Sequence, residues 1–204
     1  VEVAVLTIER LPDVVDIHYE AFQGYMNTKL GRRYVDAFLQ WFVVSDKAIA
    51  LVAIDETQAA CGYIVGAPLG YEETLNADLL WVALVGVLSR PWLLLDKHFR
   101  KTVKNRITVL RLRQKNPRTQ TPALPEPIMS LVGIGVAASA HGKGVGRLLM
   151  QAFEDWARRR HMASMRLSVY PANLAARKLY EQCGWQAIVI PEKSDQVMFY
   201  AKVL

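Results

Sequence analysis

The sequence predicts an α/β fold, and two stretches predict it. One is Ile128–Trp156: an apolar run, Ile128–Val136, leads into a glycine loop, Ser139–Gly146 (SAHGKGVG), and Leu148, Leu149, Phe153 and Trp156 then recur at helical spacing. Its order is strand, loop, helix. The other is the front of the chain, where one strand, two helices and two antiparallel strands succeed one another across Val3–Val65.

Each element has its own signal. Val3–Ile8 is an expected strand. Pro12 sits where a helix can begin, with Asp13 and Asp16 at its positive end. Val14, Ile17, His18, Ala21, Phe22 and Tyr25 keep the helical period, and Gly31 breaks it. Arg32–Val44 is an expected second helix, carrying Tyr34, Phe38, Trp41 and Phe42 on one side. Ala48–Ile54 and Ala60–Val65 form an expected strand pair across the polar turn Asp55–Gln58.

Residues 70–127 differ in character. Leu79–Leu88 is apolar, but its length is about half of the roughly 20 residues a membrane-spanning helix needs, so no transmembrane segment is expected. A basic run follows, with Lys97, Arg100, Lys101, Lys104, Arg106, Arg111, Arg113 and Lys115 interleaved with Phe99, Val103, Ile107, Leu110 and Leu112. This reads as one or two basic amphipathic helices. They suit a solvated face over a packed lid, a site for an anionic partner, or peripheral membrane contact through residues 90–115. No nucleic-acid motif accompanies the charge, so nucleic acid is not an expected partner. The proline-rich Pro117–Pro127 is an expected return linker.

Composition narrows the rest. At 204 residues the chain is expected to form a single domain, 1–204, with a helical insertion at about 70–127. A hydrophobic content of 52% against 22% charged excludes a disordered chain. Two cysteines, Cys61 and Cys183, fit a reducing compartment, so a cytoplasmic location is expected, and no signal peptide is read. The histidines His18, His98, His141 and His161 are scattered, so no metal site is expected. A net charge of +6 favours an anionic ligand.

The glycine loop suggests which ligand. Glycines let backbone N–H groups converge, and the helix start adds unpaired donors and a positive dipole end, which together suit a phosphate or pyrophosphate. The P-loop pattern fails, because Gly142-Lys143 precedes Gly144 rather than Ser or Thr. A Rossmann pattern over Gly133, Gly135 and Ala138 fails too, because three more glycines follow. The spacing His141-x-x-Gly144-x-Gly146 resembles instead the acyl-CoA pyrophosphate loop of the GNAT acetyltransferase superfamily, with His141 in the place of the usual Gln or Arg. Leu167–Trp185 is similar to that superfamily's second signature, with Asn173, Ala176, Leu179, Tyr180, Gly184 and Trp185 in matching places. The terminal VMFYAKVL looks like its last strand. The resemblance covers Ile128–Leu204 well, Val1–Leu69 in outline, and not Gly70–Pro127.

The resemblance implies a mixed, mostly antiparallel central sheet flanked by helices, with the helical insertion between two mid-sheet strands. It also implies acetyl transfer from acetyl-CoA to a primary amine of a small acceptor, with a protein acetyltransferase or a silent acyl-CoA-binding protein as alternatives. Aromatics and bases in the insertion would suit an anionic amine such as a nucleotide-linked amino sugar. The cosubstrate would be held by His141, Gly142, Lys143, Gly144, Val145, Gly146 and Arg147. A splayed strand end at Ile134, Gly135 and Val136 would free an N–H for the oxyanion, and Asn173 would bond the pantetheine arm or shape its loop. Tyr180 would protonate the leaving thiolate. Phe22, Tyr25, Met26 and Asn27 would wall the acceptor pocket. Ser130 and Ser168 stand where relatives often carry acids, which leaves His18, Glu20, Glu72, His98 and Glu126 as candidate bases, none of them singled out.

Overall fold

In the computed structural model, residues 1–96, 99–100, 124–189 and 197–204 are described. Aliphatic runs form seven strands in one sheet: β1 (Glu2–Val5), β2 (Ile49–Ile54), β3 (Ala60–Pro68), β4 (Ile128–Val136), β5 (Ser164–Val169), β6 (Gln186–Ile188) and β7 (Met198–Val203). Their order is β1-β2-β3-β4-β5-β7-β6. Every pairing is antiparallel except β4 with β5. The mixed, mostly antiparallel sheet expected from the sequence is therefore present.

Helices cover both faces. Helices α1 (Leu11–Ala21) and α3 (Arg32–Val44) bury Val14, Ile17, Phe38 and Phe42 against Val52, Tyr63 and Val65 on one side. On the other side, α6 (Val145–Arg159) buries Leu149, Met150 and Phe153 against Leu51, Ile64 and Met129. Strand β2 is buried along its whole length because it is covered from both sides, which is why its sequence is continuously apolar rather than alternating.

Several boundaries differ from the sequence reading. The first strand ends at Val5, and a 3₁₀ turn occupies Ile8–Arg10. The link between the first helices carries a one-turn helix, α2 (Met26–Lys29). Strand β3 runs on to Pro68. The described part of the insertion is helical: α4 (Glu72–Asp78), α5 (Leu80–Leu88) and a 3₁₀ turn at Pro91–Leu94. The basic helices read over 97–115 fall mostly, and the linker over 117–127 partly, outside the described residues. Helix α5 packs through Gly86, where a Cβ would come within 2.7 Å of the Leu30 carbonyl, and it exposes Leu80, Trp81, Leu84, Val85 and Leu88. No described helix is long and apolar enough to cross a membrane.

Two irregularities shape the middle of the sheet. A β-bulge shifts the β3–β4 register between Val65 and Gly66: Val65 faces Gly133, Gly66 faces Leu131, and Val132 is the extra residue. The parallel β4–β5 ladder pairs Ile128, Met129 and Ser130 with Ser164, Met165 and Arg166 and goes no further. Beyond Ser130 the sheet parts.

The α6 ridge depends on the glycine at the bulge. A Cβ on Gly66 would lie 2.7 Å from both the Phe153 Cζ and the Ser130 carbonyl oxygen. Gly66→Ala should destabilise the fold by about 1–3 kcal/mol through overpacking. Urea denaturation monitored by circular dichroism checks this, and an unchanged midpoint would mean the ring relaxes freely.

Candidate active site

The parting of β4 from β5 creates the site. A cavity of about 330 Å³ opens there, lined by Leu131–Ile134 of β4, Ser168 and Val169 of β5, and side chains from α1 and α7 (Leu174–Gln182). The four residues expected to wall an acceptor pocket, Phe22, Tyr25, Met26 and Asn27, all lie on this cavity, as do Asn173 and Tyr180. A second cavity of about 450 Å³ adjoins it and shares Tyr25, Met26 and Asn173. There the insertion contributes the buried Phe99, while Lys29 is paired with Asp96 at 2.6 Å.

Backbone alternation decides which amides face the gap. The Ala137 N–H donates to the Cys61 carbonyl at 3.0 Å, so the polar groups of Gly135 and Gly133 also face β3. Those of Ile134 and Val136 then face the opening. The Val136 carbonyl is indeed turned that way, since it accepts from His141 Nε2 at 2.9 Å. Of Ile134, Gly135 and Val136, only Ile134 lies on the cavity wall and also directs its N–H into the gap. Gly135 instead gives Tyr63 room: a Cβ there would stand 2.6 Å from the Tyr63 ring.

The glycine loop lies at the end of the same gap. Gly142 and Gly144 have φ of 75° and 81°, a region that favours glycine, and an added Cβ at either would meet open space. Gly144 caps α6, whose first helical bond runs from Leu148 N–H to the Gly144 carbonyl at 3.1 Å. The N–H groups of Val145, Gly146 and Arg147 thus precede the helical ladder and have no backbone acceptor among the described residues. His141, Lys143 and Arg147 are exposed around them, with Arg147 reaching Gln182 Oε1 at 3.3 Å. Gly146 faces α7, where a Cβ would sit 3.1 Å from Leu179 Cδ2. The loop, the end of β4 and the helix bearing Tyr180 therefore converge.

Tyr180 is buried, its ring beside Trp185 and Tyr200. Burial, and then the neighbouring Tyr25, push its phenol well above the ordinary range, so it holds its proton throughout physiological pH. Asn173 shapes the loop: its Oδ1 accepts the Ala176 N–H at 3.1 Å and caps α7. The strand-end residue Tyr170 meets Tyr25 edge-on at 5.4 Å, a contact that the sequence analysis missed although Tyr170 lies inside the second signature.

The candidate bases separate. Glu72 pairs with Arg166 at 3.7 Å, and Glu20 accepts from the Ala138 N–H at 3.3 Å. Neither lines the inner cavity, nor does Glu126. His98 lies outside the described residues. His18 does line the cavity and is 4% exposed. Its Nδ1 lies 2.6 Å from the hydroxyl of the fully buried Tyr63, and its Nε2 has no described partner. Burial lowers its pKa to about 4, so the ring is neutral at pH 7. No group of three or more potential metal ligands occurs among the described residues.

Comparisons with known proteins agree with this fold. A family model described as the Acetyltransferase (GNAT) family matches residues 105–185. A crystal structure of a ribosomal-protein-alanine N-acetyltransferase from Brucella melitensis is similar, with TM-score 0.59, 18% identity and coverage of 100% of both chains. A GCN5-related N-acetyltransferase from Kribbella flavida gives 0.58 and 17%, covering 100% of this chain and 97% of that one. An aminoglycoside antibiotic 6'-N-acetyltransferase from Acinetobacter haemolyticus gives 0.57 and 11%, covering 91% of each. No curated protein matches in sequence.

The buried imidazole makes stability depend on pH. His18 is neutral when folded and protonates readily when unfolded, so its contribution is fully present above the unfolded value of about 6.5 and is lost as pH falls toward about 4. The wild type should lose up to about 3 kcal/mol across that window beyond what His18→Gln loses. Denaturant melts of both proteins at several pH values check this, and parallel pH curves would contradict it.

Proposed function

We propose that this chain, which a GNAT acetyltransferase family model matches over residues 105–185, transfers the acetyl group of acetyl-CoA directly to a primary amine of a small acceptor held in the inner cavity. One observation carries this reading: a gap in the sheet lined by Ile134 and the buried Tyr180, with the glycine-capped start of α6 packed against the helix that bears Tyr180. The amides of Val145–Arg147, with Lys143 and Arg147 nearby, suit a pyrophosphate. The Ile134 N–H suits the carbonyl oxygen of the thioester, where negative charge develops. The amine nitrogen attacks the carbonyl carbon, the carbon–sulfur bond breaks, and Tyr180 gives its proton to the departing thiolate.

Among the described residues, no carboxylate lines the inner cavity, so the amine arrives neutral or passes its proton to water. That gap in the machinery also favours a second reading, a protein that binds acyl-CoA without turning it over. Calorimetry with acetyl-CoA followed by thiol release across a panel of amines separates the two. Turnover on any amine supports the enzyme, and tight binding with no turnover supports the silent reading.

Two variants test the parts. Tyr180→Phe should lower kcat by roughly 10²–10³ while CoA affinity stays within about twofold, because only the proton donor is removed. Unchanged turnover would take Tyr180 out of the chemistry. Gly144→Asp places a carboxylate at the open helix start and should weaken CoA binding by at least about tenfold. Wild-type affinity in that variant would place the pyrophosphate elsewhere.

A further inference from the structure

The insertion carries an apolar face that no described residue covers. On a helix of 3.6 residues per turn, Leu80, Trp81, Leu84, Val85 and Leu88 share one side of α5, about 140° wide, and all five are exposed. The opposite side holds Gly86, seated on the Leu30 carbonyl. Exposure continues into the 3₁₀ turn with Trp92, Leu94 and Leu95. Large apolar side chains gathered in this way mark an interaction surface, whereas single ones scattered over a protein do not.

Charge narrows what that face meets. A cleft of about 580 Å³ borders the stripe: Trp81 and Val85 line it together with Arg32, Arg33 and Arg90, and no described lining residue is a carboxylate. The Arg90 guanidinium donates to two neutral oxygens, the Leu30 carbonyl and the Ser89 hydroxyl, each at 3.1 Å, and those bonds leave its charge uncompensated. Arg33 has no carboxylate partner among the described residues, and Arg32 meets Asp16 in an exposed pair that solvent weakens. Every charged residue from Leu79 to Lys115 except Asp96 is basic, and Asp96 is already paired with Lys29. An apolar stripe bordered by cations matches acyl chains beneath phosphate headgroups. Tryptophan favours the same boundary. A second copy of this chain fits worse, because a two-fold contact would press the cationic border against itself. With nine residues, α5 is far shorter than the roughly 20 that span a bilayer, so it can lie on one but not cross it.

We propose that α5 and the 3₁₀ turn after it dock this protein on an anionic phospholipid surface, with Trp81, Leu84 and Leu88 in the interface and Arg33 and Arg90 against the phosphates. The contact begins ahead of residues 90–115, the stretch to which the sequence pointed. It is separate from the inner cavity, which no residue of α5 lines, and it does not depend on acetyl transfer. Two contacts join the docked segment to the end of α2: Arg90 with the Leu30 carbonyl, and Asp96 with Lys29. Docking therefore anchors the element that supplies Met26 and Asn27 to the inner cavity.

The test mixes the full chain with vesicles of phosphatidylcholine alone, or of phosphatidylcholine with phosphatidylglycerol, and measures co-sedimentation and the quenching of tryptophan by lipids brominated in their acyl chains. The mixed vesicles should bind at least about tenfold more tightly than the neutral ones, lose that advantage at high salt, and quench part of the emission. Trp81→Ser combined with Leu84→Ser should weaken binding to mixed vesicles by at least about tenfold, and Arg33→Glu should weaken it severalfold, with the circular dichroism of both unchanged. Wild-type affinity in the double serine variant would overturn the inference, because the basic residues of 97–115 would then suffice. Absence of binding to mixed vesicles would also overturn it and leave residues 101–123 as the cover of this face. So would a dimer, seen by light scattering, that Trp81→Ser dissolves, which would assign the face to a second copy. If the double variant fails to fold, Arg33→Glu and the brominated-lipid quenching of the wild type still decide.

Discussion

The site exists because two parallel strands stay together for only three residue pairs, Ile128–Ser130 with Ser164–Arg166. A parallel ladder that continued would bond the amide of Ile134 to β5 and close the space where the cavity lies. The bulge at Val132, on the opposite edge of β4, adds local twist where the strands part. The glycines around it hold that geometry. Gly66 lets Phe153 and the Ser130 carbonyl approach, and Gly135 lets the Tyr63 ring lie flat against the strand. Packing on both faces of the sheet thus fixes an opening that is used from its edge.

Burial then sets the chemistry within the gap. Tyr180 and His18 both lie in the apolar interior, and in each case desolvation favours the neutral form. The consequences differ. A neutral phenol retains a proton to give. A neutral imidazole, held through Nδ1 by the Tyr63 hydroxyl, brings no charge to the cavity. An anionic acceptor gains little from the nearest lysine of the outer cavity, since Lys29 is already paired with Asp96.

Much of this was legible in the sequence because it is local. The helix Arg32–Val44 and the strand Ile128–Val136 follow from apolar period and length, and both occur with the expected bounds. The glycine spacing located the start of α6, and the second signature located Tyr180. What stayed hidden depends on distant partners. His18 and Tyr63 are 45 residues apart, and neither composition nor period links them. The bulge at Val132 leaves no mark beyond glycines that have several other uses. The first strand was read too long because Leu6 and Ile8 continue its apolar alternation, whereas the chain turns into a 3₁₀ segment that leads into α1. The apolar stretch Leu79–Leu88 marks α5, whereas α4 ahead of it carries no such run, and the two helices meet at Leu79.

The tryptophans carry a consequence for spectroscopy. Trp185 is 2% exposed and bonded through its indole N–H to Glu154, which also holds Lys202, whereas Trp81 and Trp92 are 75% and 61% exposed on the insertion. Emission from this protein therefore mixes a shielded, blue-shifted fluorophore with two wet, red-shifted ones and with the half-buried Trp41 and Trp156. Quenching by iodide reads the insertion, while the blue component reads the joint between the last helix and the final strand. A single averaged wavelength would blur two regions that have little to do with one another.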